Sequence, residues 1–135
     1  MINSKFYPFF IALVLSILFF IIYILLGNQG VILSFEPNEN IGDISRWCER
    51  VSGSIFREPS NALSNIGFMI LGLLMFWFLG KDIKSDNSNQ FTGLNSISIL
   101  YAGAAIFLGP GSLLMHGTHT EWGEWADNLS MIMYI

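Results

Sequence analysis

Long apolar stretches alternate with polar segments along this chain of 135 residues. The apolar stretches run from 6 to 26, from 62 to 79 and from 94 to 115, and the first contains no charged residue. A helix needs roughly 20 apolar residues to cross a bilayer, so the pattern predicts three transmembrane helices. The run Gly109-Pro110-Gly111 predicts an interruption within the third.

Polar segments at 28–60, 80–92 and 117–126 connect these stretches, and residues 128–135 have the pattern of the opening turns of a fourth apolar helix. The fold class predicted is therefore all-α, a polytopic transmembrane helical bundle with three full spans and the start of a fourth. Because the fourth is far too short to cross a bilayer, we expect the N-terminal part of a longer protein. The alternative is a naturally short chain with a frayed last helix.

The first apolar stretch could be an uncleaved anchor or a cleaved signal peptide. Lys5 provides a basic start, but the apolar core is too long for a signal peptide and no small-x-small cleavage site follows it. We therefore predict an N-terminal transmembrane anchor over 1–27 and a separate membrane domain over 28–135.

Basic residues do not decide the orientation of these spans. Three lie on each side, as Lys5, Lys81 and Lys84 against Arg46, Arg50 and Arg57. The short basic N-terminus favours a cytoplasmic start, which predicts that the polar loop and His116 lie on the extracytoplasmic face. Two crossings separate those regions, so they share a side in either orientation.

Composition supports a multi-pass integral membrane protein. Hydrophobic residues make up 53% of the chain and charged residues 12%, whereas soluble domains carry about a quarter charged residues. The net charge of −4 is small and scattered, which argues against a nucleic-acid partner. Cys48 is the only cysteine, so no intrachain disulfide can form.

Polar side chains that could carry chemistry follow the third stretch. Ser112 and His116 are four positions apart and lie on one helical face, and Asp127 comes eleven residues later. Ionisable groups at membrane depth are functional candidates, and imidazole is a common zinc ligand. A catalytic zinc usually has three protein ligands, and only His119 could share a metal with His116. The alternative is that His116 caps a membrane helix at the interface.

Asp127 could orient or deprotonate a metal-bound water, if the loop folds back towards His116. Alternatively, it is a carboxylate at a helix N-terminus, stabilised by the macrodipole, and in register with an acidic stripe of Glu121 and Glu124.

Two further polar groups lie before and at the start of the second stretch. Glu49 and Glu58 are solvated loop residues or ligands of a hard cation such as calcium. The side chains of Asn61, Ser64 and Asn65 form a polar face that could bind neighbouring helices.

Taken in order, these motifs resemble the alkaline ceramidase family, within a superfamily of seven-helix membrane hydrolases and hydrolase-like receptors. The resemblance covers 47–135 and leaves the first span outside it. The matching runs are Trp47-Cys48-Glu49, Glu58-Pro59-Ser60-Asn61-Ala62-Leu63-Ser64-Asn65, Gly109-Pro110-Gly111-Ser112 with His116, and Asp127-Asn128-Leu129-Ser130-Met131.

The resemblance implies a zinc hydrolase that cleaves the amide bond of a ceramide-like lipid, with membrane lipids around it. His116 would be the first zinc ligand, and two more histidines would come from an H-x-x-x-H pair on the last helix of such proteins. Ser112 would stabilise the oxyanion, and Asp127 would orient or deprotonate the water. Because those two ligands are absent from the sequence, we expect this piece to be inactive by itself.

Members of this family can also carry calcium, and Trp47, Glu49 and Glu58 match that pattern. Against a calcium site, Arg46 stands where ceramidases tend to have an acid, and the interval from Glu49 to Glu58 is shorter than expected. The alternative function is a non-catalytic, receptor-like or scaffold protein of the same superfamily. The Trp-Cys-Glu and Asn-x-x-Ser-Asn runs favour the ceramidase branch.

Overall fold

The structure, a computed structural model, describes residues 4–38, 40–41, 49–82 and 93–135, and all regular secondary structure within them is helical. A short 3₁₀ turn at Ser4–Phe6 leads into the first helix. The α-helices are α1 (Tyr7–Asn28), α2 (Val31–Ser34), α3 (Pro59–Ser64), α4 (Ile66–Lys81), α5 (Ser96–Thr118) and α6 (Glu121–Tyr134).

Three helical segments are long and apolar enough to cross a membrane. They are Ser4–Asn28, Pro59–Lys81 and Ser96–Thr118, and their mean hydropathies are 3.1, 2.0 and 1.7. These segments coincide with the three apolar stretches of the sequence, so the predicted all-helical class is confirmed for the described residues.

Helix α5 is the central element of the fold and packs between α4 and α6. In the most apolar part of α5, 44% of the residues are buried, against 11% in the most apolar part of the segment that contains α1. Small residues bring the helices close, because a Cβ added to Gly72 of α4 would lie 2.9 Å from the carbonyl oxygen of Ala102 in α5. Close approach of backbones at small residues is typical of helices packed in membranes.

The predicted interruption of the third span is wrong, because α5 runs unbroken through Pro110 to Thr118. The two glycines beside Pro110 allow close contact with different neighbours, Gly109 with residues 65–69 and Gly111 with α6. A Cβ on Gly109 would lie 2.9 Å from the carbonyl oxygen of Asn65, and one on Gly111 would lie 2.8 Å from that of Ala126. Tight packing on two sides therefore holds the helix together around a proline that can make no backbone N–H bond.

Helix α1 packs against the rest of the chain at both ends. Phe9 of α1 and Phe6, in the 3₁₀ turn directly before it, contact the ring of Trp77 in α4, with centroid distances of 5.3 and 5.0 Å. Near the other end, a Cβ on Gly27 would lie 2.8 Å from the Cγ2 of Ile55. The helix predicted as a separate anchor thus shares packing with the residues beyond position 28, and the division at 27 stays a prediction.

Candidate functional site

Ser112, His116 and Asp127 line one cavity of about 460 Å³. Ser112 and His116 lie one turn apart on α5, and Asp127 comes from α6. The remaining walls are apolar or aromatic and are formed by Phe68, Leu108, Met131, Tyr134 and Ile135. The structure therefore brings together the three side chains that the sequence singles out for chemistry.

A tight turn places α6 against α5 and brings Asp127 to this cavity. His119 ends α5 in the left-handed conformation, with a φ of 54°. Thr120 then caps α6, because its side chain accepts a hydrogen bond of 3.2 Å from the backbone N–H of Gly123. A Cβ on Gly111 would lie 2.5 Å from the Oγ of Ser130, so the two helices are in close contact beside Ser112.

Asp127 is buried, with only 8% of its surface exposed. Burial raises the pKa of its carboxyl, and a hydrogen bond with the side chain of Ser112 opposes that shift. The sequence alternative of a carboxylate at a helix N-terminus is wrong, because α6 begins at Glu121 and Asp127 follows almost two turns later. The acidic stripe fits only the two glutamates of the first turn, Glu121 and Glu124.

Glu58 is fully buried at the end of α5, so the alternative that describes it as solvated is wrong. Its Oε2 lies 2.5 Å from the Nδ1 of His116 and accepts a hydrogen bond of 3.1 Å from the Nδ2 of Asn61. Its Oε1 lies 3.4 Å from the Nε2 of His119. A carboxylate and two imidazoles therefore form one buried group beside the cavity.

His116 lies between this carboxylate and the cavity, with 16% of its side chain exposed. The ring of His116 is thus held by the buried Glu58 carboxylate. This arrangement is not the one expected for a histidine that only caps a helix at the membrane interface. His119 is 2% exposed and faces Glu58. Burial lowers the pKa of His119, and the nearby Glu58 carboxylate opposes that shift.

Glu49 caps the short helix α3. Its Oε1 accepts a hydrogen bond of 2.7 Å from the backbone N–H of Ser60, and its Oε2 accepts one of 2.8 Å from that of Asn61. Desolvation raises the pKa of the Glu49 carboxyl, but hydrogen bonds from Ser60 and Asn61, together with the nearby His116, lower it below its ordinary value. Trp47 lies outside the described residues. Both glutamates of the predicted calcium site thus have protein partners, and calcium binding stays a prediction.

The polar face at the start of the second span was predicted to bind neighbouring helices. The side-chain hydrogen bonds described for it instead stay within residues 58–65. The side chains of Ser64 and Asn65 both donate to the carbonyl oxygen of Asn61, at 2.8 Å each. Asn61 in turn donates to Glu58, three residues earlier. These side chains therefore stabilise the start of their own helix and the buried carboxylate beside it.

The contact between Glu58 and His116 is the part of the site that sequence reasoning missed. The two residues are 58 positions apart, and nothing in their spacing indicates that they meet. The available signal is the pair Glu58-Pro59 directly before an apolar helix, because a proline at the first helical position fixes the preceding residue at the helix end.

The cavity offers a zinc ion one suitable ligand, a ring nitrogen of His116. His116 reaches the cavity with one ring nitrogen held by a carboxylate, which is the usual arrangement of a metal-ligating histidine. Within the described residues, however, no group of three or more His, Cys, Asp or Glu side chains could hold a metal ion. The described part of the chain therefore fits one ligand position of a zinc site and does not complete the shell.

Comparison with known proteins adds no relative: no family model, no curated protein and no solved structure matches the chain.

Proposed function

We propose that this chain belongs to a zinc-dependent membrane hydrolase that cleaves the amide bond of ceramide-like lipids. The observation that carries the proposal is the convergence of Ser112, His116 and Asp127 on one cavity whose other walls are apolar or aromatic. A hydroxyl, an imidazole and a buried carboxylate are groups that can catalyse amide hydrolysis, and the apolar walls suit a lipid chain.

The proposed setting is a bilayer crossed by the three long apolar helices, with the cavity near the end of the third. Apolar side chains of α1, such as Ile11, Val14 and Leu15, are more than half exposed, as expected for a helix in contact with lipid. The N-terminus would be cytoplasmic, and the polar loop with the cavity would face the extracytoplasmic side.

The cavity favours a substrate with an apolar chain joined to a polar group. Its volume lies within the usual range for small-molecule sites, about 300 to 1,000 Å³. Phe68, Leu108 and Met131 would contact the chain, and the amide would lie beside the hydrogen-bonded pair of Ser112 and Asp127. A second chain of the lipid would remain in the surrounding bilayer.

The reaction adds water across the amide bond. The water oxygen bonds to the carbonyl carbon, the C–N bond breaks, and the products are a fatty acid and the amine of a sphingoid base. Asp127 accepts a proton from the attacking water and returns it to the departing nitrogen, and its raised pKa suits a base in this role. The Ser112 hydroxyl donates a hydrogen bond to the oxyanion.

When bound, zinc would lower the pKa of a water and polarise the carbonyl. His116 would provide one of its ligands, and the others would have to come from outside the described residues. We therefore expect the 135-residue chain purified by itself to release no fatty acid from ceramide. Hydrolysis by that chain, lost in His116→Ala, would contradict this expectation.

The test is ceramide hydrolysis by membranes of cells that express the gene from its native start codon to its stop codon. Ser112→Ala and Asp127→Asn should each abolish most of the release of sphingoid base. Ser98→Ala on α5 and Glu124→Gln on α6 are matched controls that lie outside the cavity and should retain it. Equal activity in all four variants, or none in the wild type, would refute the proposal.

A second candidate is a receptor-like or scaffold protein of the same superfamily. The observation in its favour is that the described residues provide a single histidine at the cavity and no group able to hold a metal. Saturable binding of a ceramide analogue without product formation would support this function over hydrolysis. Sequencing the DNA downstream of the Ile135 codon would also separate the two, because hydrolysis requires a later H-x-x-x-H pair.

A further inference from the structure

The buried carboxylate of Glu58 lies behind the cavity and contacts both imidazoles of the chain. We infer that Glu58 is a positioning residue that fixes the tautomer and the orientation of His116. In this assignment the Nδ1–H of His116 donates to Glu58, and the lone pair of Nε2 is left for the cavity. The use of Nε2 as a metal ligand rests on the proposed function, but the tautomer itself does not.

The tautomer follows from the contact between the two side chains. At 2.5 Å, one proton must lie between the Nδ1 of His116 and the Oε2 of Glu58. The same Oε2 accepts a hydrogen bond from the side-chain amide of Asn61, so we assign this oxygen as an acceptor and the shared proton to Nδ1. A neutral ring then has its lone pair on Nε2, because a neutral imidazole carries a single N–H.

The backbone prevents Glu58 from moving along α5. The N–H of Glu58 donates to the carbonyl oxygen of His116 at 3.0 Å, and that of Arg57 donates to Gly117 at 3.1 Å. Asn38 donates in the same way to His119, at 2.9 Å. Three backbone hydrogen bonds therefore tie the last turn of α5 to the loops, and the carboxylate reaches His116 from a fixed position.

His119 supports the same carboxylate from its other oxygen. It adopts a left-handed conformation at the end of a helix, where glycine or asparagine is the usual residue. Its Nε2 and the Oε1 of Glu58 are buried, 3.4 Å apart, and neither has a hydrogen-bond partner among the described residues. His119 thus places a second imidazole beside the fully buried carboxylate, on the side opposite the oxygen that faces His116.

Other polar groups around this carboxylate do not compete for Nδ1 of His116. Asn61 donates to Oε2 through its side-chain amide and so adds a second donor to the same oxygen. The guanidinium of Arg57 is directed to the carbonyl oxygen of Phe35 through Nη2. Neither hydrogen bond therefore occupies Nδ1 of His116, and the amide of Asn61 uses Oε2 as an acceptor.

The experiment is ¹⁵N NMR of the histidine side chains in the full chain, reconstituted in lipid vesicles near pH 8. The chain has only two histidines, so His119→Asn leaves His116 as the single imidazole and assigns its signals. Asparagine tolerates a positive φ and keeps the turn. We expect His116 to show a protonated Nδ1 and an unprotonated Nε2. A wild-type ring protonated at Nε2 would overturn the inference without any variant.

The decisive variant is Glu58→Ala, and Glu49→Ala is its matched control. Loss of Glu58 should shift His116 towards protonation at Nε2, the tautomer that a neutral histidine side chain favours in water. Glu49 belongs to the same loop, but its hydrogen bonds go to Ser60 and Asn61 and to neither imidazole, so its loss should leave the tautomer unchanged. An unchanged tautomer in Glu58→Ala, or an equal shift in both variants, would contradict the assignment.

Calcium provides a further test, because the sequence also matches Glu58 to a cation site. Addition of Ca²⁺ should leave the Nδ1–H signal of His116 in place if Glu58 serves the imidazole. Loss of that signal on Ca²⁺ addition would assign Glu58 to the cation and overturn the inference. These outcomes are independent of catalysis, since absence of ceramide hydrolysis with the expected tautomer would refute only the proposed function.

Discussion

Tyr23 in α1 lies against the backbone of Gly117, directly after His116, and its hydroxyl donates a hydrogen bond of 2.7 Å to the carbonyl oxygen of Ile55. Its ring also stacks on Phe56, with a centroid distance of 5.0 Å. One side chain of the first helix therefore holds the loop that ends in Glu58 against the turn that carries His116.

Substitution of Gly117 by alanine should disrupt this contact. The added methyl would overlap the hydroxyl of Tyr23, and overpacking of this kind typically costs about 1 to 3 kcal/mol. We expect a lower midpoint of thermal unfolding in detergent. Gly103→Ala on the same helix is the control, because a Cβ there meets nothing within 4 Å. Equal midpoints for the two variants would show that the contact does not matter for stability.

Gly111→Ala should separate α6 from α5. The added methyl would meet the Oγ of Ser130 at 2.5 Å and the carbonyl oxygen of Ala126 at 2.8 Å, and a backbone carbonyl cannot move aside easily. Ser112 is the next residue, so its hydrogen bond to Asp127 should weaken as well. The measurement is thermal unfolding beside Gly67→Ala, where the added methyl has open space. A midpoint as high as that of the control would contradict the prediction.

The three long apolar helices were predictable from the sequence, and so was the grouping of Ser112, His116 and Asp127. The start of the last helix was predicted wrongly, because α6 begins at Glu121 within the predicted loop 117–126. The long apolar stretches determine the three long helices. The turn between α5 and α6 is short, so α6 folds back against α5 and carries Asp127 towards His116. The burial of Glu58 was not predictable, because it depends on contacts with residues far along the chain. The break predicted at Pro110 is wrong for a related reason. Local propensity indicates a break there, but packing at the two flanking glycines keeps the helix intact.

Glu49→Gln should weaken the start of α3. A glutamine has one oxygen and cannot accept from both backbone N–H groups that Glu49 now binds. The folded state lowers the pKa of Glu49, so its contribution to stability is present above the ordinary value of 4.5 and is lost as the pH falls through the lowered pKa. The midpoint of Glu49→Gln should lie below that of the wild type at pH 7, and the two should converge in acid.

The stability of the wild type should fall as the pH drops below the ordinary histidine value of 6.5. Burial lowers the pKa of His119, so the unfolded chain binds a proton that the folded chain excludes. Glu58 opposes this shift, whereas Arg57 and His116 add to it. In His119→Asn, the loss of stability between pH 8 and pH 5 should be smaller. An unaltered pH dependence in thermal unfolding would refute this role of His119.

If the protein hydrolyses ceramide, its two polar cavity residues should contribute unequally to the rate. Removal of one hydrogen-bond donor to an oxyanion costs about 10²- to 10³-fold in kcat, which we expect for Ser112→Ala. Loss of a general base costs about 10²- to 10⁴-fold, which we expect for Asp127→Asn. Both losses should appear in kcat at saturating lipid, and a change in KM alone would indicate a role in binding.

The pairing of Glu58 with His116 also has a consequence for the synthesis of the chain. Their 58-residue separation corresponds to roughly 3 to 12 seconds of translation at about 5 to 20 residues per second. During that interval the carboxylate has no imidazole partner, and burial of an unpaired carboxylate is costly. We therefore expect Glu58 to stay in contact with water until α5 packs against α3 and α4.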